Sequence, residues 1–505
     1  MLKRLLISCC LSIGHLSAQE AMSTKEKKEE ILTVNETLKE EFSETHHTFK
    51  IHDEEIHYKA VAGNLILKNE QRHPKASVFY IAYFKEVEGD NSSRPLIFCF
   101  NGGPGSSSVW LHMGFFGPRR VVLSQEGESI PPYQVVNNEY SILDLADLVF
   151  IDPVSTGYSR AAPGEDAKQF HGVDEDIESI SEFIRQFITT YERWDSPKLL
   201  AGASYGTTRA AGLAGHLHDE QNIFLNGIIL ISSILNFQTI NDYDKGNDLP
   251  YPLYLPTYFT TAWYHKKLGE HLQKDFDKAL EEVLQFANTD YTVALMQGDR
   301  ISDEKYTEIV ERLSAYTGLS TDYIKRANLR INPYRFTKEL LRSDDLTVGR
   351  FDARITGVAL DSSCDFPSYD PSLDSIIGAF TATFNQYVRK DLKVKIDREY
   401  KILADINTTW NYTKSSNKFL NMSGALHDVM SKNNSLKIFV SNGYYDLATP
   451  FYATDYTFNH LRLIPSLRKN VSMYYYPAGH LMYTDRESMM KMKEDLRNWM
   501  KTLKD

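Results

Sequence analysis

The stretch "LLAGASYGTTRAAG", residues 199–212, runs from apolar residues into a serine held between two glycines. An apolar run that stops at such a bend reads as a buried strand turning into a helix, with Ser204 on the turn. Gly202 and Gly206 leave room for a tight, strained bend, and the bend exposes the Ser204 hydroxyl. In an open α/β sheet, ligands bind beyond the carboxyl ends of the strands, which is where this turn lies. The five-residue pattern G-x-S-x-G is a weak signal taken alone. A plain helix cap by Ser204 is the alternative at this point.

The same style of strand recurs on both sides of this turn. "RPLIFCF" (94–100), "LADLVFID" (145–152), "NGIILISS" (226–233) and "LKIFVSNG" (436–443) are continuous apolar runs, as in strands buried on both faces. Helical stretches such as "DEDIESISEFIRQFITTYERW" (174–194) separate them. Strands alternating with helices imply an α/β fold: a mostly parallel central sheet with helices on both faces. Before them, "HTFKIHDEEIHYKAVAGNLILKN" and "ASVFYIAYFKEV" alternate apolar and polar residues, as hairpin strands with one wet face do.

Between residues 236 and 430 the pattern becomes helical. Leu268, Leu272, Phe276, Leu280 and Val283 form one amphipathic series, and Tyr306, Ile309, Leu313 and Tyr316 another. A largely helical insertion there would cap the sheet edge. The expected layout is a signal peptide over 1–18, a polar tether over 19–47, the first part of the α/β core over 48–235, the helical cap over 236–430 and the last part of the core over 431–505.

The signal peptide is read from "MLKR", the apolar run "LLISCCLSIGHL" (5–16) and the small residue Ala18 at a plausible cut. That run is too short to span a bilayer, and no later run is long enough, so a secreted or periplasmic protein is expected. A lipoprotein cut before Cys9 would leave only Leu5–Ser8 as the apolar segment and is disfavoured. Of the four cysteines, Cys99 and Cys364 would remain after the cut, which is no disulfide scaffold. Cys99 reads as a buried thiol, with a single Cys99–Cys364 bond left open.

With 505 residues and 42% hydrophobic content, the chain can bury a large core. A formal net charge of −11 argues against a nucleic-acid partner, because phosphate binding needs clustered positive charge. No H-E-x-x-H or C-x-x-C motif occurs, so neither metal nor cofactor is expected.

A serine hydroxyl needs a base to take its proton. On this kind of sheet the order is Ser, then an acid, then His, each on its own loop after a strand. "IFVSNGYYDLATP" puts Asp446 after one buried strand, and "VSMYYYPAGHLMYTD" puts His480 after the next. Asp152 in "VFIDPVSTGYS" is the rival acid, but it precedes the serine. The glycine-rich turn "FNGGPGSSSVW" (100–110) exposes backbone N–H groups that could stabilise an oxyanion, each worth roughly 3 kcal/mol of barrier. It lacks the G-x-x-x-x-G-K-[ST] pattern of a nucleotide loop.

Taken together, "NGGPGSSS", "GASYG", "NGYYDLATP" and "AGHLMY" resemble the serine carboxypeptidases, especially their exported bacterial branch. "HMGFFGPRRV", "DPVSTGYSR" and "VGRFDARITG" extend the likeness over nearly the whole chain after about residue 45. The resemblance implies an α/β-hydrolase fold with a helical insertion. It implies Ser204 as nucleophile, His480 as general base and then acid, and Asp446 as the group orienting the imidazole. Gly103 and Tyr205 would supply the oxyanion N–H groups. Asn101 and the N–H of Gly102 would hold the terminal carboxylate of a peptide substrate.

The chain departs from the family where better-known members carry two glutamates that share a proton and help bind that carboxylate. Ala203 stands just before the nucleophile, and "MGFF" (113–116) stands before Gly117-Pro118. Position 106, Cys in many members, is Ser here. The expectation is that an arginine takes over, with Arg119, Arg120 and Arg209 as candidates, since a guanidinium stays charged and binds carboxylates bidentately. Activity would then peak near neutral pH, limited at the low end by protonation of the base. Arg350, Asp352 and Arg354 would anchor the cap or line the cleft, with anchoring the favoured reading, and Tyr444, Tyr445, Tyr474, Tyr475 and Tyr483 flank the site, part of them simply as core. The alternatives are an esterase or acyltransferase on the same scaffold, and a non-catalytic binding protein.

Overall fold

The computed structural model describes residues 38–504 apart from positions 52, 90, 125–128 and 413–416. The expected signal peptide and residues 19–37 of the expected tether lie outside the described residues.

Among the described residues, nine strands run through the main sheet. In chain order they are β1 Phe42–Ile51, β2 Glu54–Lys68, β3 Pro74–Lys85, β4 Leu96–Phe100, β5 Asp147–Ile151, β6 Lys198–Ala203, β7 Gly227–Ile231, β8 Lys437–Gly443 and β9 Val471–Tyr476. Their spatial order is β1-β2-β3-β5-β4-β6-β7-β8-β9, with the two-residue strand Arg160–Ala161 pairing beside β3. From β5 to β9 every neighbour pair is parallel, whereas β1, β2 and β3 are joined antiparallel. The central runs read from sequence are these parallel strands, and β4, β5 and β7 are buried at every residue.

β1 begins at Phe42, inside the segment expected to be a tether. Its sequence is polar because it is an edge strand: alternate residues face water, and the ladder to β2 supplies the order that composition does not.

Eight helices frame the site and its supports: α1 Val173–Thr190, α2 Tyr205–Gln221, α3 Pro250–Tyr264, α4 Phe276–Phe286, α5 Asp303–Thr317, α6 Pro371–Lys390, α7 Ser423–Lys432 and α8 Arg486–Lys501. α1 buries Ile177, Ile180, Phe183, Ile184, Phe187 and Ile188, a stripe at helical spacing that packs on one face of the sheet with α2 and α7. Each such side chain contributes about 1.5–3 kcal/mol on burial. α6 and α8 supply Ile376, Phe380, Phe384, Met492, Leu496 and Trp499 to the apolar cluster on the opposite face.

A third apolar cluster belongs to the insertion. Side chains of α3, α4 and α5 gather there with Ile324, Phe336, Val348 and Ala353. The series starting at Leu268 and Leu272 continues into α4. The second series is α5, which Ser302 caps by accepting the Lys305 N–H at 3.2 Å. The insertion is not one cap, however. From the insertion its cluster draws on residues up to Ala353, while α6 packs with the main sheet, and Lys401, Leu403, Asn411 and Asn421 bridge to Gly157, Ser106, Gly172 and Asn236. Helical periodicity alone does not say which layer a helix joins. Cys99 and Cys364 are both free thiols, the first buried in β4 and the second exposed.

The carboxyl ends of the parallel strands reach one edge in register. Phe100 sits opposite Gly202, Ile231 opposite both Ala203 and Ser441, and Gly443 opposite Tyr476. Asn101, Ser204, Asp446 and His480 all follow from that edge.

Candidate active site

Ser204 occupies the turn between β6 and α2 at φ 58° and ψ −130°, a region that a residue with a side chain enters only under constraint. The constraint is visible in the ladder: the Ser204 N–H donates to Ile231 O at 2.9 Å, and Thr207 N–H and Oγ return to Ser204 O. Position 202 has room for glycine alone, because a Cβ would lie 2.1 Å from Gly206 O.

Asp446 is fully buried on the loop after β8. Its Oδ1 accepts the N–H groups of Ala448 (2.7 Å) and Thr449 (2.9 Å), and its Oδ2 accepts the Thr449 hydroxyl at 2.6 Å. Oδ2 also meets His480 Nδ1 at 2.7 Å. The loop after β9 carries His480, whose N–H donates to Phe351 O and whose ring stacks on that of Phe351. The Ser232 hydroxyl holds the His480 carbonyl. A carboxylate on Nδ1 sets the imidazole tautomer and leaves Nε2 as the nitrogen for proton exchange.

Ser204 and His480 line one cavity of about 200 Å³ with Asn101, Gly102, Gly103, Tyr205, Arg350 and Phe351. No hydrogen bond joins Ser204 Oγ to the ring. Such contacts tighten when substrate binds. Gly102 packs so closely on the Ser204 turn that a Cβ there would lie 2.4 Å from Tyr205 N. The Tyr205 hydroxyl accepts from Trp410 Nε1 at 3.0 Å, and burial pushes its pKa well up, so only its backbone is suited to chemistry.

Asp152, the rival acid, is elsewhere. Its Oδ1 accepts the Ser108 N–H and hydroxyl, both at 2.9 Å, and the Tyr400 hydroxyl at 3.1 Å. Burial raises its pKa to about 6. It ties the glycine-rich turn to the segment at 400.

None of the three nominated arginines lines the cavity. Arg209 is 1% exposed and pairs with Asp176 (Nε to Oδ2, 2.7 Å) between the rings of Phe100 and Tyr205. Its second donor meets Asn101 O at 2.6 Å, so it touches the site through the backbone only. Arg119 donates to Asn137 Oδ1, and Arg120 pairs with Glu139 beside a different cavity, lined by Gly114, Tyr483 and Arg486. Sequence order does not separate these from a cationic group in the cleft, because each lies within a few residues of a site motif.

The Asn101 side chain is fixed by the Leu111 N–H, which donates to Oδ1 at 3.0 Å. The walls are apolar: Trp110, Ile234, Phe237, Ile240, Leu373, Leu403 and Leu481. The five tyrosines expected around the site do not line it. Tyr444, Tyr445 and Tyr475 pack with the cap, Tyr474 on Phe439 and Tyr483 on Phe115. Of the "VGRFDAR" trio, Asp352 and Arg354 form an ion pair at 2.7 Å that reaches Asp485. Arg350 takes the other of its two expected roles and lines the cavity beside Phe351. Sequence reasoning misses Phe351 as a site residue, because no catalytic motif marks it.

Known proteins share this architecture. The family model for serine carboxypeptidase matches residues 52–497. Serine carboxypeptidase-like 33 of Arabidopsis thaliana is 28% identical over 200 residues, 38% of this chain and 37% of that protein. The pheromone-processing carboxypeptidase KEX1 of Saccharomyces cerevisiae is 30% identical over 155 residues, 28% of this chain and 20% of its own length. The matched segments thus span 37% and 20% of these relatives' own lengths. The crystal structure of Kex1(delta)p, a prohormone-processing carboxypeptidase from Saccharomyces cerevisiae, superposes with a TM-score of 0.56 at 17% identity, covering 87% of this chain and 91% of that one. That likeness is one of fold, the α/β-hydrolase fold.

Proposed function

The chain belongs to the serine carboxypeptidase family, and we propose that it is an exported enzyme that removes C-terminal residues from peptides through an acyl-enzyme. The observation that carries this reading is the 2.7 Å contact of buried Asp446 with His480, the residue that lines one cavity with Ser204 and the glycine-rich turn.

In this reading the Ser204 hydroxyl turns toward His480 and attacks the last peptide carbonyl, passing its proton to Nε2. The N–H groups of Gly103 and Tyr205 take the negative oxygen. The imidazolium then protonates the leaving amine, and the C–N bond breaks to give a Ser204 ester. Water, deprotonated by His480, cleaves that ester and restores the hydroxyl. Asn101 and Gly102 meet the substrate's terminal carboxylate. Export is supported by residues 1–18, and among the described residues no helix is long and apolar enough to cross a membrane.

An esterase or acyltransferase reading has one observation in its favour: the cavity lining holds neither Asp nor Glu. Mass analysis of products from a small peptide library, with Ser204→Ala as control, separates the two. Release of single C-terminal residues from free acids, absent in Ser204→Ala, is expected. Equal turnover of acids, amides and acyl esters would replace the carboxypeptidase by the esterase.

A further inference from the structure

Among the residues lining the cavity, Arg350 is the one side chain with a fixed charge. Its backbone is held firmly: the N–H donates to Asp370 Oδ1 at 3.1 Å, and its carbonyl accepts the Leu447 N–H at 3.0 Å, beside Asp446. The Asp370 carboxylate is occupied there and at the Phe351 N–H and Ser372. The guanidinium, by contrast, has no hydrogen-bond or ion-pair partner among the described residues. It rests on the ring faces of Tyr334 and Phe351, at 5.2 and 5.3 Å.

Elsewhere in the fold, five partly or fully buried arginines are paired with carboxylates, Arg94 and Arg193 with Asp147, Arg209 with Asp176, Arg330 with Asp248 and Arg354 with Asp352, while Arg119 and Arg160 donate to an amide and to backbone carbonyls. A half-buried guanidinium left with only ring faces, in an apolar cavity, is a site for an anion that the chain does not itself provide. A planar carboxylate suits its fork.

Its position says which part of a substrate would bring that anion. Phe351 stacks on His480, so Arg350 approaches the cavity from the imidazole side. That side must receive the leaving amine, because His480 protonates it. The oxygen of the attacked carbonyl lies toward the N–H groups of Gly103 and Tyr205.

We infer that Arg350 binds a carboxylate carried by the leaving residue. The inference rests on the carboxypeptidase reading above and adds a binding residue to it. The carboxylate is either the free terminus or an acidic side chain of the leaving residue.

The test compares wild type, Arg350→Gln and Arg350→Lys on blocked dipeptides ending in Ala, Ala-amide and Glu. Equal thermal midpoints establish that the variants are folded. Loss of one charged hydrogen-bonding group should raise KM for the free acids about 10- to 100-fold with kcat changed far less, and Lys should recover part of it. If the preference for Ala over Ala-amide collapses in Arg350→Gln, the partner is the terminus. If only a preference for Glu over Ala collapses, it is the side chain. A wild type that releases residues, with KM the same in Arg350→Gln on all three substrates, overturns this inference alone. A wild type that releases no residue from any free acid overturns the proposed function and this inference with it.

Discussion

The Phe351 and His480 rings lie 4.9 Å apart and 28° from parallel, and the Phe351 carbonyl accepts the His480 N–H. A residue of the insertion therefore steadies the imidazole twice, through its ring and through its backbone. Phe351→Leu keeps the backbone bond and removes the stacked ring. Given about 0.5–1.5 kcal/mol for such a pair, kcat should fall roughly 3- to 10-fold. The rate of Ser204 labelling by a fluorophosphonate, measured alongside, should fall in parallel.

Asp446→Asn replaces an acceptor by a donor at the atom that meets His480 Nδ1. The imidazole is then held in the other tautomer, and kcat should drop about 10³- to 10⁴-fold. Thr449→Val, which removes the hydroxyl bonded to Oδ2 and 3.2 Å from His480 Nδ1 but leaves the carboxylate–imidazole contact, should cost far less. Steady-state kinetics on one peptide substrate checks both.

Arg209 and Asp176 form a pair that is 1% and 2% exposed. Arg209→Met strands a buried carboxylate and should destabilise the fold by about 3–5 kcal/mol, whereas adding Asp176→Leu should restore most of that loss. Urea unfolding midpoints of the single and double variants decide the matter. A stability loss of this kind separates Arg209 from a substrate ligand, whose removal would act chiefly on KM.

Asp455 accepts the Tyr475 hydroxyl, and burial pushes its pKa up to about 6 from 3.8. The folded state therefore holds a proton there that the unfolded chain releases. Stability from this group is full below about pH 4 and is lost as pH rises through about 6. Asp455→Asn should flatten the thermal midpoint over that range and stabilise the protein at pH 7 by on the order of 2 kcal/mol. Scanning calorimetry across these pH values provides the check.

Much of this architecture is legible in the sequence. β4, β5, β6 and β7 are buried on both faces, so their apolar runs are continuous, and Asn101 and Ser204 sit just past two of them. What the sequence hides is the cleft's outer wall. Leu373 comes from α6, Phe237 and Ile240 from the start of the insertion, and Leu403 from a strand-like return, none of them spaced by any rule that links them to Ser204. The arginines show the same limit. Arg209 and Arg350 are equally basic on paper, and only the partner across the fold, present for one and absent among the described residues for the other, tells them apart. β1 is hidden for a different reason: an edge strand with a wet face carries the composition of a tether.

Ser204 sits between Ala203 and Tyr205, which point into the two opposite faces of the sheet. His480 is flanked by Ala478 and Met482 in one of those clusters, whereas Asp446 is flanked by Tyr445 and Leu447, which belong to the cap's cluster. The side chains beside the acid thus pack with the insertion, and those beside the nucleophile pack on the sheet. Gentle heating that loosens the insertion should extinguish turnover while the sheet's circular dichroism is still intact, making hydrolysis a more sensitive thermometer of this molecule than its spectrum.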